Sequence, residues 1–323
     1  MFLRIGELGS LSKAAHRMRV AQPALSRQMK LLQEDIGVLL FMRHRHGMRL
    51  TRAGEELMRR VAGPIRQLDQ AVEDVHSAEG RPAGLSAFGI VPTVSSLLAA
   101  RLAARVAADF PGISLRIVEG YDGHLIDWLQ RGEIDAAIVY ASEAGLQIEA
   151  EELVSEDLVV VGPRGSELDG KRPMSMAEFA QLPLVLPSRP HGLRAVVETA
   201  SATAKAKLCV RFEADSFRVL KELVERGLGY TALPLSSIHD EQREGRLIYA
   251  PLIEPKVARR LMMALPADST VSRATRTVVN LAREEIAALV RSGAWRARLR
   301  FTPSATNPAR SSGQRGAHSA RRN

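Results

Sequence analysis

The sequence predicts an α/β protein with a small helical head, a long linker helix and a larger, bilobed α/β body. Three observations carry that reading. The chain of 323 residues exceeds one ordinary domain of roughly 100 to 200 residues, and its 46% hydrophobic and 25% charged content suits a packed globular protein. Charge is unevenly placed: residues 1–60 hold 12 Lys and Arg against 5 Asp and Glu, and residues 296–323 hold 7 Arg and no acid. The stretch between is mildly acidic, although the whole chain is +9. Hydrophobic spacing also changes, from helical in the head to alternating strand-like and helix-like segments beyond it. A basic head ahead of an acidic body favours nucleic acid at the head, because clustered cations attract a phosphate backbone.

Within the head, Ser10 is placed to cap a helix through Leu11, Ala14, Ala15 and Met18, which form one apolar stripe. After the turn Arg19-Val20-Ala21, Pro23 opens a second helix where no amide donor is needed. Leu25, Met29, Leu32 and Ile36 share the inner face of that helix until Gly37 stops it. Gln22, Ser26, Arg27 and Lys30 fall on the opposite face. Two short helices joined by a brief turn, the second polar and basic on its free side, make a helix-turn-helix pattern. From Leu40 to Leu50, apolar ends flank a basic tip containing Gly47, as in a small hairpin wing. Thr51 then caps a helix from about Arg52 to Ala78. Its stripe of Leu57, Val61, Ile65, Leu68, Val72 and Val75 needs a partner, such as a second copy of itself. Gly80-Arg81-Pro82-Ala83-Gly84 breaks the helix and forms a hinge.

The body begins strand, helix, strand, helix, strand: Leu85 to Ile90, Ser95 to Phe110, Ile113 to Glu119, Leu125 to Arg131 and Asp135 to Tyr140. That order implies a parallel sheet covered by helices. A second set follows at Leu158 to Val161, Leu184 to Leu186, Leu193 to Ala204, Leu208 to Phe212, Phe217 to Arg226 and Tyr230 to Leu233. Arg260 to Leu265 reads as one more strand and Ser272 to Ser292 as a closing helix. Two similar halves suggest two lobes with a ligand cleft between them. The resulting division is head 1–57, linker and hinge 58–83, body 84–300 and a disordered basic tail 301–323. Within the body, one lobe takes about 84–161 and 266–300 and the other about 162–265.

Several runs are specific enough to suggest a family. Gly9-Ser10-Leu11-Ser12-Lys13-Ala14-Ala15, Ala21-Gln22-Pro23-Ala24-Leu25-Ser26-Arg27-Gln28-Met29, Leu40-Phe41 and Leu50-Thr51-Arg52-Ala53-Gly54 resemble the LysR-type transcriptional regulators. In the body, Val118-Glu119-Gly120, Gly132 to Ile138 and Gly227 to Pro234 follow in that family's order. Leu186 to Arg194 resembles its nitrogen-assimilation-control branch. The resemblance implies a winged helix-turn-helix, a dimerising linker helix and a periplasmic-binding-protein-like effector domain. It departs at the start, where Met1 to Ile5 falls partway through the apolar first helix usual in the family, so that helix is expected to be truncated.

For DNA, the resemblance and the polarity of the second helix nominate Gln22, Pro23, Ala24, Ser26, Arg27 and Lys30 in the major groove. Gln pairs with an adenine edge, Arg with guanine, and the proline and alanine offer apolar contact to thymine methyls. Arg43, Arg45 and Arg49 on the wing suit phosphate or minor-groove contact. For an effector, Thr93, Ser95 and Ser96 sit between the first strand and its helix, where free amides favour an anion and where the family places effector contacts. Tyr121, Tyr140, His191, Asp215 and Ser216 stand at corresponding element ends and are expected to face the same cleft; Asp215 leaves the ligand's charge open.

Other functions find less support. No Gly-x-Ser-x-Gly elbow is present and no paired His/Cys spacing suits a metal, His44 and His46 being two apart among arginines, so no enzyme chemistry, metal or cofactor is expected. A solute-binding protein would need the body alone and a secretion signal. One cysteine, Cys209, precludes an internal disulfide, is expected to be packed in a strand and indicates a reducing compartment. The expectation is a cytoplasmic, ligand-responsive regulator binding double-stranded promoter DNA as a homodimer or homotetramer, with no membrane segment.

Overall fold

The computed structural model describes residues 1–45, 47–76, 80–141, 148–189, 191–267 and 271–302. The tail from 303 onward and the expected end of the linker helix at Ala78 lie outside them, as does the side chain of Val75. The head comprises α1 (Phe2–Leu8), α2 (Leu11–Met18), α3 (Gln22–Ile36), β1 (Phe41–His44) and β2 (Gly47–Leu50), followed by the linker helix α4 (Arg52–His76). The expected truncated helix forms a seven-residue α1, with Phe2 and Ile5 buried and the Phe2 ring 5.4 Å from that of Phe41. Ser10 caps α2 by accepting from the Lys13 amide, and Thr51 accepts from Gly54 at the start of α4. Leu25 and Met29 are buried on α3. Ile36, expected on the inner face, is the last residue of α3 and is 42% exposed.

The wing is an antiparallel hairpin pairing Phe41 with Leu50 and His44 with Gly47. It is anchored to α1: the Met48 amide donates to the Gly9 carbonyl at 2.8 Å. Gly47 is required at that contact, since its φ is +136° and a Cβ there would lie 2.2 Å from the same oxygen.

The body runs β3 (Gly84–Ile90), α5 (Pro92–Asp109), β4 (Ile113–Glu119), α6 (Asp122–Gln130), β5 (Ala136–Tyr140), β6 (Ile148–Pro163), β7 (Met174–Ser175), α7 (Met176–Gln181), β8 (Leu184–Leu186) and α8 (Gly192–Thr203). It continues with β9 (Val210–Glu213), α9 (Phe217–Glu225), β10 (Thr231–Pro234), a 3₁₀ turn (Leu235–Ile238), α10 (His239–Arg243), β11 (Leu247–Ile253), β12 (Ala258–Pro266), α11 (Arg273–Arg291) and β13 (Arg298–Leu299). The expected parallel sheet is parallel across β4, β3 and β5 and again between β11 and β7; β12, β6 and β11 between them pair antiparallel, so the sheet is mixed.

The second correction concerns the lobe boundary. β6 is sixteen residues long, far more than the four expected. Its first half pairs with β12 in lobe I and its second half with β10 and β11 in lobe II. Leu158 to Val161, assigned to lobe I from sequence, pack in the lobe II core, while Leu261, Met263 and Ala264 pack in lobe I. The chain therefore crosses between lobes near Asp157–Leu158 and Val257–Ala258, and those paired strands form the hinge. Cys209 is also corrected: it precedes β9 and is exposed, because the inward phase there belongs to Leu208 and Val210.

Candidate DNA-binding and effector sites

On the head, Gln22, Pro23, Ala24, Ser26, Arg27 and Lys30 are all exposed along one run of α3, as are Arg43, Arg45 and Arg49 on the wing. Local bonds orient two of the α3 side chains. The Ser12 hydroxyl donates to Gln22 Oε1 at 3.0 Å, and Lys30 lies 3.5 Å from Glu34. The helix is held against the head by Leu25 and Met29, so its polar face is presented as a rigid unit.

In the body, the cleft between the lobes is lined by Pro92, Thr93, Tyr121, Tyr140, Pro187, His191, Leu193, Ala214, Asp215, Phe217 and Leu220. It is closed: about 10 Å³ remains, room for one water at most. Five of the eight nominated effector residues meet here. The Thr93 hydroxyl lies 2.9 Å from that of Tyr140, and both are bonded by Nη1 of Arg259, at 2.8 Å in the case of Thr93. Thr93 thus does not cap α5, whose N-cap is Val91 with no side-chain bond. Tyr121 meets His191 edge to face at 4.5 Å across the lobes. Asp215 accepts from the amide and hydroxyl of Ser188, which hold its carboxyl below the usual range.

Three nominations do not reach the cleft. Ser216 caps α9 by accepting from the Val219 amide and points to solvent. Ser95 is half-buried on the first turn of α5 but lines none of the cleft, and Ser96 faces a separate surface groove beside Phe217 and Lys221. The helical turn rotates each successive side chain by about 100°, which carries Thr93 into the cleft and Ser95 and Ser96 away from it.

Two residues were missed. Arg259, 1% exposed, supplies the cation at the cleft floor, and its Nε donates to Glu156 at 2.7 Å. Glu156 also accepts from Ser236 of lobe II and from the Trp295 indole of lobe I, both at 2.9 Å. Asp122, the first residue of α6, accepts the Tyr140 amide on Oδ1, while its buried Oδ2 faces Gly192 of lobe II. Burial pushes the Asp122 carboxyl up to about 6, partly offset by that amide, and pushes the Tyr140 hydroxyl up to about 12. His191 goes the other way, lowered to about 4 by burial, and its Nδ1 accepts the Leu193 amide, as befits a neutral ring.

Among the described residues no group of His, Cys, Asp and Glu could hold a metal ion, and no helix is long and apolar enough to cross a membrane.

Two family models match. Residues 1–55 fit the bacterial regulatory helix-turn-helix of the lysR family, and residues 79–287 fit the LysR substrate binding domain. The chain belongs to the LysR family. It is a DNA-binding transcriptional regulator with an effector-binding domain, and not an enzyme. Among curated LysR-family relatives, the regulator BbuR of Bordetella bronchiseptica is 28% identical, covering 91% of both chains. The nitrogen assimilation regulatory protein nac of Escherichia coli is also 28% identical, over 87% of this chain and 91% of that one, so the nitrogen-control branch is not singled out. A full-length OxyR variant from Pseudomonas aeruginosa shares the LysR fold with a TM-score of 0.69 at 22% identity, over 94% and 96% of the two chains. CbnR, solved in complex with its target DNA, gives 0.65 at 18% identity, over 88% and 97%.

Proposed function

We propose that this LysR-family chain binds promoter DNA as a homodimer or homotetramer, through α3 in the major groove and the wing on the backbone, and that a small molecule in the interlobe cleft changes the placement of its heads. The observation that carries the proposal is the pairing of an exposed polar face on α3 with a cleft whose floor holds a buried cation and two hydroxyls. Arg27 reads guanine, Gln22 reads adenine, and Pro23, Ala24, Ser26 and Lys30 complete the contact. Arg43, Arg45 and Arg49 neutralise phosphates. That CbnR was solved on its target DNA supports the assignment of the head.

Thr93, Tyr121, Tyr140, His191 and Asp215 line the effector site, with Arg259 and Asp122 added to them. Because the cleft as described holds no more than a water, a ligand enters only when the lobes part about the β6–β12 hinge. A redox switch built on an intramolecular disulfide would need two cysteines, and this sequence has one. A regulator of transcription that reads metabolites belongs in the cytoplasm.

The test is a footprint of the purified full chain on DNA upstream of its own gene, after a thermal-shift screen of metabolites. Protection that survives about 150 mM salt and changes with a stabilising metabolite supports the proposal. Binding no tighter than to random DNA at that salt removes the assignment of the head; protection that no metabolite alters removes that of the cleft.

A further inference from the structure

The linker helix meets the body at its own weakest point. Gly63 and Pro64 are consecutive in the interior of α4. Glycine costs a helix backbone entropy and proline removes one amide donor, so bending is easiest there. Gly63 is buried against the turn that follows α6. A Cβ on Gly63 would lie 2.2 Å from the Arg131 carbonyl oxygen, and one on Gly132 would lie 2.7 Å from the Gly63 Cα. Gly132 holds φ at +66°. The contact is backbone on backbone, with no side chain whose rotamer could absorb a displacement.

The other end of α6 lies in the cleft. Tyr121, its N-cap, packs on His191 of lobe II, and Asp122, its first residue, faces Gly192. Between these ends the helix spans about 13 Å at 1.5 Å per residue, with Leu125 and Leu129 buried beneath it. One short rigid element therefore touches the opposite lobe at one end and the weak point of the linker at the other.

Resting on the reading of the cleft as the effector site, we propose that α6 is a strut coupling lobe closure to the linker helix through the Gly63–Gly132 contact. Closure presses lobe II on Tyr121 and Asp122. The helix shifts slightly along β5, and α4 bends at Gly63-Pro64 in response. Such coupling is reciprocal, so a wedge at the linker must also be felt at the cleft.

The test locks the lobes without an effector. A Cβ on Gly192 would lie 2.5 Å from Asp122 Oδ2, so Asp122→Cys with Gly192→Cys places two thiols within disulfide reach. The full chain carries these two changes with Cys209→Ser, and hydrogen exchange of amides 58–68 is compared after oxidation and after reduction. Exchange is expected to differ by about fivefold or more. Adding Gly63→Ala, which favours the helix while wedging the contact apart, should abolish the difference. Equal exchange in both states, or a difference that survives Gly63→Ala, overturns the proposal. If the disulfide does not form, Gly63→Ala alone in the otherwise native chain should change exchange at residues 121–125 by a similar factor, and no change there overturns it equally. Gel shifts on the same variants report separately on the head: lost DNA binding counts against the proposed function and leaves the strut result standing.

Discussion

Arg259 and Glu156 stand directly opposite each other on β12 and β6, joined by an Nε to Oε1 bond of 2.7 Å, each side chain 1% exposed. The pair sits where the chain crosses between lobes, and its cation continues to Thr93 and Tyr140 on the cleft floor. Any group that competes for Arg259 therefore acts on the hinge itself.

Removing one partner leaves a buried, uncompensated charge. Glu156→Leu should destabilise the chain by about 3 to 5 kcal/mol in urea unfolding, whereas Glu156→Leu with Arg259→Met should recover much of that loss. A loss in the double variant equal to the sum of the Glu156→Leu and Arg259→Met losses would show that the two charges are not energetically coupled.

Arg27→Ala should weaken binding to the specific DNA site by about 1 to 3 kcal/mol with unchanged far-ultraviolet circular dichroism. Arg27 is exposed and has no ion pair among the described residues, so the fold does not depend on it. Unaltered site affinity in a gel shift would take Arg27 out of the reading set.

Asp122 and His191 pull stability in opposite directions with pH. The Asp122 carboxyl, raised by burial from near 3.8 to about 6, binds its proton more tightly in the folded chain, so its contribution is full at low pH and is lost as pH climbs through about 6. His191, lowered by burial from near 6.5 to about 4, binds its proton less tightly when folded, so its contribution is full above about 6.5 and is lost as pH falls through about 4. The two trends oppose one another between about pH 4 and 6. Relative to the parent chain, Asp122→Asn should gain stability as pH rises through that window and His191→Gln should lose it. Parallel pH profiles for all three proteins, followed by urea unfolding, would mean that neither group is buried in solution as described.

Leu68→Ala with Val72→Ala should weaken self-association, since in the single chain these α4 side chains are 67% and 56% exposed and await a partner. Sedimentation at micromolar concentration is the measurement. An unchanged oligomer would place the association surface elsewhere.

Local rules were enough to read the head. The Ser10 and Thr51 caps, the glycine stop at Gly37 and the basic hairpin are short-range features, and each stands where spacing put it. Most body elements were legible for the same reason. β6 was not, because Glu149, Glu151 and Glu152 interrupt its apolar pattern, and β12, which satisfies its backbone, lies about a hundred residues later. The interior Pro64 of α4 was passed over because a continuous apolar stripe hid it, although its effect on a helix is predictable.

Motif runs such as Ala21 to Met29 marked the family by resemblance, whereas the two-helix head with its wing, the linker and a two-lobed α/β body could be read from periodicity, capping and charge within short windows. Where the lobes divide, the mixed order of the sheet and which nominated side chains share the cleft all depend on long-range contacts. Thr93 enters it and Ser95 does not, a distinction set by how α5 is rotated against its neighbours. Arg259 looked like an ordinary strand cation until Glu156, 103 residues away, and Tyr140, 119 away, were brought against it. Burial turned these residues into a site, and burial depends on contacts between segments too distant in sequence for any local pattern to record.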